Sequence, residues 1–136
     1  MKKAGEKVLL YQFTDEVRKE SIIQLLQSMG IECKVLQPQD WQEKIGYLLG
    51  NPGFTKSKAG EEKFSFPYEV MIMQNIRNKR LDALLGAFRT QNLAPVIYKA
   101  VVTPFNTFWT LKKLCVTLQR EHSAMVKAHK EDRIHE

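Results

Sequence analysis

The 136-residue chain predicts one α/β domain: three layers, α/β/α, around a four-stranded, mainly parallel sheet in the order 2-1-3-4. Three observations carry this. Val8–Phe13 (VLLYQF) and Glu69–Gln74 (EVMIMQ) are apolar on both faces, as buried central strands are. Ile31–Leu36 and Val96–Val102 carry Glu32, Lys34 and Lys99, as edge strands do. Strands alternate with helical patterns, which favours parallel neighbours joined by right-handed crossovers. In that arrangement the first and fourth helices cover one face, the second and third the other. A ferredoxin-like α+β sheet also centres strands one and three. The connection between strands two and three argues against it, because it is long and contains a Trp-bearing helix where that fold has a hairpin.

The elements follow in order. After VLLYQF, Thr14 is placed to cap a helix with Asp15 and Glu16 in its first turn. Val17, Ile22, Leu25, Leu26 and Met29 make its apolar face, and Gly30 ends it. Ile31–Leu36 alternates apolar and charged residues. Pro38–Leu49 reads as a short helix with Asp40 as its cap and Trp41, Ile45, Leu48 and Leu49 inward. Asn51-Pro52-Gly53 breaks it. Residues 50–67 are polar and irregular, the expected mobile loop, with Phe54, Phe64 and Phe66 folding back on the body. After EVMIMQ, Asn78–Gln91 is a helix burying Leu81, Leu84, Leu85 and Phe88, closed by Asn92 and Pro95. Val96–Val102 is the fourth strand. Past Thr103-Pro104, Asn106 or Thr110 caps a last helix with Leu111, Leu114, Cys115, Leu118 and Met125 in its stripe, and 127–136 is an expected frayed tail. The halves repeat the same plan of strand, helix, strand, proline turn and aromatic-bearing helix, the pattern of an internal duplication.

Composition narrows the function classes. Hydrophobic content of 43% and charged content of 26% are those of a globular domain. No segment approaches the ~18–20 apolar residues of a membrane span, and the N-terminus lacks a signal-peptide core. Cys33 and Cys115 form no CxxC pattern and read as reduced thiols, so a soluble, cytoplasmic protein is expected. The charge of +6 is spread along the chain rather than gathered on one element, which licenses only weak non-specific affinity for nucleic acid.

The string Lys99-Ala-Val-Val-Thr-Pro-Phe-Asn-Thr-Phe-Trp-Thr-Leu111, following the helix Leu81-Asp-Ala-Leu-Leu85, resembles the uncharacterised prokaryotic family catalogued as domain of unknown function 3783. The resemblance covers roughly Glu69 to His122. It implies a small bacterial-type protein and brings no activity, cofactor or catalytic residue. Acidic residues often follow Trp-Thr-Leu in that family, whereas Lys112 and Lys113 stand there in this chain.

In a parallel sheet, ligands bind beyond the carboxyl ends of the strands where the order reverses, here between strands one and three. The candidate ligand-binding residues are therefore Gln12, Thr14, Gln74, Asn75 and Arg77, joined by Thr103, Asn106 and Trp109. This set of amides, hydroxyls and one guanidinium suits a small polar or anionic ligand. The alternative is that they cap helices and satisfy loop backbone. Trp41 and Trp109 read first as covering aromatics and second as a surface for a base. His122, His129 and His135 lack zinc-site spacing and read as solvated. Residues 53–60 miss the phosphate-loop order, and no G-x-S-x-G or H-E-x-x-H is present. No catalytic residue, metal or cofactor is assigned. The reading is a non-catalytic binding or regulatory domain that meets a small molecule or a protein. The alternatives are a nucleic-acid binder using Arg77, Lys79, Arg80 and Arg89, or a small enzyme recruiting Asp15, Asp40 or Cys33.

Overall fold

A computed structural model describes residues 5–58, 60 and 62–135, with side chains to residue 128. The sheet order is β2-β1-β3-β4. The strands β1 (Lys7–Tyr11) and β3 (Val70–Gln74) are central and fully covered; β2 (Glu32–Val35) and β4 (Tyr98–Val101) are edges. Each edge strand runs parallel to its neighbour, Lys7 opposite Glu32 and Val70 opposite Tyr98. The central pair is antiparallel, with Leu9 opposite Ile72 and Lys7 opposite Gln74. The sheet is therefore mixed, and the expectation that strands one and three run the same way is corrected. A strand apolar on both faces carries no mark of direction, and the long β2–β3 connection is long enough to reach either end of the sheet. Each crossover returns the chain beside the strand it left, so the ferredoxin-like alternative, a split arrangement, does not hold.

That one reversal moves the helices. The helices α1 (Glu16–Ser28) and α3 (Lys79–Thr90) lie on the same face, where Ile22, Leu26, Leu84 and Phe88 pack over Val8, Leu10, Met71 and Met73. The helices α2 (Ile45–Leu48) and α4 (Leu111–His135) share the other, where Ile45, Leu48, Leu111 and Leu114 pack over Leu9, Tyr11 and Ile72. The expected pairing of helix one with four and two with three is thus corrected. The reason is handedness. Two right-handed crossovers growing outward from parallel centre strands put their helices on opposite faces; turning one centre strand round puts both on one face.

The halves repeat several hydrogen bonds at matching positions. Ile31 N donates to Leu26 O, closing α1, as Leu93 N donates to Phe88 O, closing α3, both at 2.9 Å. Leu36 N donates to Leu10 O as Val102 N does to Met73 O, both at 2.8 Å. Gln37 N donates to Asp40 Oδ2 as Thr103 N does to Asn106 Oδ1, both at 2.8 Å. The strand exits Gln12 (φ 63°) and Asn75 (φ 60°) are both left-handed. The duplicated pattern in the sequence is a duplicated path in space, related by a pseudo-twofold axis through the Leu9–Ile72 pair.

Local chemistry explains where boundaries move. Asp15 rather than Thr14 caps α1, its carboxylate accepting Arg18 N at 3.1 Å. The expected helix 38–49 is split into a 3₁₀ turn over Pro38–Gln42 and the short α2, because Glu43 and Lys44 are extended. A matching 3₁₀ turn, Asn106–Phe108, precedes α4, whose first turn is capped by Thr110 Oγ1 accepting Lys113 N at 3.1 Å. The backbone is helical to His135; the side chains of His129 and His135, read as solvated, lie outside the described residues. Arg80 reaches from α3 to Glu6 (2.8 and 2.6 Å) and to Met29 O (2.7 Å), and its hydrogen bond holds the Glu6 carboxyl below its ordinary range.

Burial pushes the Cys33 thiol up to about 11, the Cys115 thiol to about 12 and the Tyr11 phenol to about 12. The fold therefore favours the neutral form of all three. Their contribution to stability is whole below about pH 9, where the unfolded thiols begin to ionise, and is lost as pH rises toward the folded values. Urea midpoints are expected to fall between pH 8 and pH 11, and Cys115→Ala is expected to shallow that fall.

Candidate functional site

Because β1 and β3 are antiparallel, the expected site is divided between the two ends of the sheet. Gln12 and Thr14 leave β1 at one end. Gln74, Asn75 and Arg77 leave β3 at the other, joined there by Thr103 and Asn106, since β4 runs parallel to β3. The shared mouth between strands one and three does not form. Most of these side chains serve the backbone instead. Gln12 Nε2 donates to Phe66 O at 2.8 Å, and Asn75 Nδ2 to Gly5 O at 3.4 Å. Gln74 Oε1 accepts Asn51 Nδ2 at 3.0 Å. Thr103 Oγ1 accepts the amides of Phe105 and Asn106, and Asn106 Nδ2 donates to Val101 O at 3.0 Å. Thr14 and Arg77 are exposed. Beside the β1 exit, a 320 Å³ hollow is floored by Tyr68 and Tyr98, but its guanidinium, Arg18, is bonded to Glu69 at 2.9 Å.

Among the described residues, a broad cleft lies on the α2/α4 face. It encloses about 590 Å³ between the first 3₁₀ turn, the 53–62 loop and the start of α4. Trp41, Gln42, Lys58, Glu62, Thr110 and Lys112 line it. Its position follows from the pseudo-twofold axis. Lys44 and Thr110, matching residues of the two halves, form an antiparallel bridge. Ile45 N donates to Trp109 O and Leu111 N to Glu43 O, both at 2.9 Å. This clamp brings the Trp41 turn of one half against the α4 N-terminus of the other.

Trp41 is the aromatic wall of the cleft, backed by Phe64 outside the lining, and Lys58, Lys112 and Glu62 bring charge to it. Trp41 and Phe64 meet with ring centroids 5.8 Å apart. The Lys112 ammonium sits 5.9 Å from the Trp41 centroid and 5.7 Å from that of Phe64, within cation–π range. It also meets Glu62 at 3.2 Å, an exposed pair contributing little to stability. Lys58 is exposed at the rim. The first turn of the 25-residue α4 borders the cleft through Thr110 and Lys112; its Leu111 and Lys113 amides are taken by Glu43 O and Thr110 Oγ1, so it adds only the field of its dipole. Glu43 anchors the loop: this buried carboxylate, 3% exposed, accepts Ser57 N at 2.7 Å. Trp109, the one expected site residue on this face, is half-buried under Lys113, whose ammonium is 4.6 Å from its ring.

A reaction needs an acid, a base or a nucleophile at the cleft. Asp15 and Asp40 are engaged as caps. Cys33 and Cys115 are held as thiols on opposite faces of the sheet. Among the described residues, no three His, Cys, Asp or Glu side chains gather in a metal-binding group, and no helix is long and apolar enough to cross a membrane.

Sequence reasoning singled out Trp41 but missed Gln42, Lys58, Glu62, Thr110 and Lys112 as its companions. The usable signal was the duplication. Matching the two proline turns brings Trp41 into the same register as the aromatic turn before α4.

No curated protein and no solved structure matches the chain. A family model, the domain of unknown function DUF3783, matches residues 69–125. The matched stretch forms β3, α3, β4 and the α4 wall of the cleft, so the likeness to that family covers the second half of the fold.

Proposed function

We propose that the protein is a non-catalytic binding domain for a small anion that carries a flat ring, taken up in the Trp41 cleft. The observation that carries this reading is Lys112, held over Trp41 and Phe64 at the rim of the cleft. A flat ring is drawn to the indole face, and a phosphate or carboxylate to Lys58 and Lys112. The volume of 590 Å³ falls within the range of small-molecule sites. Among the described residues, the carboxylate lining the cleft, Glu62, is exposed and paired with Lys112. A reducing compartment, the cytoplasm, is part of the proposal, supported by two free cysteines on opposite sheet faces that are unable to pair.

The test is a thermal-shift and calorimetric panel of nucleotides and phosphorylated metabolites, with adenosine monophosphate as the reference probe. The probe is expected to raise Tm. Trp41→Ala and Lys112→Glu are each expected to weaken its binding about tenfold, the scale of losing one stacking or one charge-assisted contact. Gln12→Ala and Gln74→Ala are expected to leave it unchanged. Stabilisation by no member of the panel would sink the proposal.

A further inference from the structure

The Trp41 cleft has a twin. Under the pseudo-twofold axis, Gln42 corresponds to Phe108 and Thr110 to Lys44. Phe108 and Lys44 line a second cleft of about 200 Å³, with Phe54 and Lys56 from the loop. The two are adjacent. Loop residues up to Ser57 wall the second cleft and those from Lys58 the first, and the Ser57–Glu43 hydrogen bond pins the crossing point. Each pairs an aromatic wall with lysines: Trp41 with Lys58 and Lys112, Phe108 with Lys44 and Lys56. Phe54 and Phe108 meet at 5.4 Å, and Phe108 is 63% exposed, far more than a structural ring needs. The Phe54 ring lies against the bare α-carbon of Gly46, the position corresponding to Lys112 in the other half. A ring thus stands in one cleft where a lysine stands in the other.

We propose that the face carrying both clefts binds single-stranded nucleic acid. One base lies on Trp41, a neighbouring base lies on Phe108, and the linking phosphates lie along Lys44, Lys56, Lys58 and Lys112. This rests on the binding role of the Trp41 cleft and names its partner as a polymer. Repetition decides it. A small ligand uses one cleft, whereas two adjacent aromatic–lysine clefts match a chain that repeats ring and charge. Single strands rather than duplexes offer free base faces. The basic residues of α3 are not part of it: Arg80 is committed to Glu6 and Met29, and that helix covers the opposite face.

The experiment is fluorescence anisotropy of the full chain with a labelled twelve-nucleotide oligoadenylate, set beside calorimetry with adenosine monophosphate. The oligomer is expected to bind at least about tenfold more tightly than the monomer, as a second stacked base adds its own contact. Log affinity is expected to fall with log salt at a slope of about −3, as four phosphate contacts on a single strand give. Phe108→Ala and Lys56→Glu, both on the surface, are expected to cut oligomer binding about tenfold with monomer binding intact. Circular dichroism checks that these variants stay folded. Oligomer binding no tighter than monomer binding, or unchanged by both variants, overturns the proposal and leaves the Trp41 cleft as a small-ligand site. Oligomer binding lost with either variant, without measurable monomer binding, sustains the proposal and removes the small-ligand reading. Binding of neither probe, or of anionic vesicles in place of the oligomer, overturns it.

Discussion

Leu9→Ala is expected to lower the free energy of unfolding by about 2–5 kcal/mol, read from urea denaturation. Leu9 is fully buried at the centre of the sheet, opposite Ile72 and beneath Ile45, Leu48 and Leu111. Every element of the α2/α4 layer meets around it, so the void left by truncation has no mobile neighbour to fill it. The surface control is Val17→Ala. Val17 is 79% exposed although helical periodicity assigned it to the core, and its loss is expected within about 0.5 kcal/mol. A small effect at Leu9, or a large one at Val17, would mean that α2 and α4 do not pack where the fold puts them.

Glu43→Ala is expected to cost about 1–3 kcal/mol, the scale of losing a hydrogen bond to a charged group. The Glu43 carboxylate is nearly inaccessible and receives the Ser57 amide, its one long-range hold on the 53–62 loop. Truncation leaves that amide without its acceptor and removes the pin between the two clefts. Amide exchange across residues 53–62 is expected to quicken, and affinity at the Trp41 cleft to fall through loss of the Lys58 wall. Glu43→Gln retains an acceptor oxygen in the same shape and is expected to recover most of both losses. Equal damage from the two substitutions would show that charge, not the hydrogen bond, does the holding.

Element types and the sheet order were legible in the sequence because burial writes them there. VLLYQF and EVMIMQ are apolar on both faces and became the covered centre; Glu32, Lys34 and Lys99 marked the edges. Direction was not legible. Leu9 buries as well beside an antiparallel Ile72 as beside a parallel one, so nothing in either strand chooses. That single hidden bit carried the helix faces with it, by handedness, and scattered Gln12 and Gln74 to opposite ends. The strand-end amides were polar for a local reason: left-handed exits at Gln12 and Asn75 need partners for their side chains and turns. The Trp41 cleft was hidden for another reason. Its walls come from three distant stretches, and only the Lys44–Thr110 bridge brings them together. The internal repeat was the one feature that pointed there, since it is the pseudo-twofold axis that sets the two halves face to face.

The most direct measurement is a two-dimensional amide and indole NMR titration of the full chain with adenosine monophosphate. Trp41→Phe assigns the two indole signals. The account predicts that the Trp41 indole and the amides of Gln42, Lys58, Glu62 and Lys112 move together, while those of Gln12, Thr14, Gln74 and Asn75 stay still. Shifts gathered at either strand end, with the Trp41 indole unmoved at saturation, would contradict it.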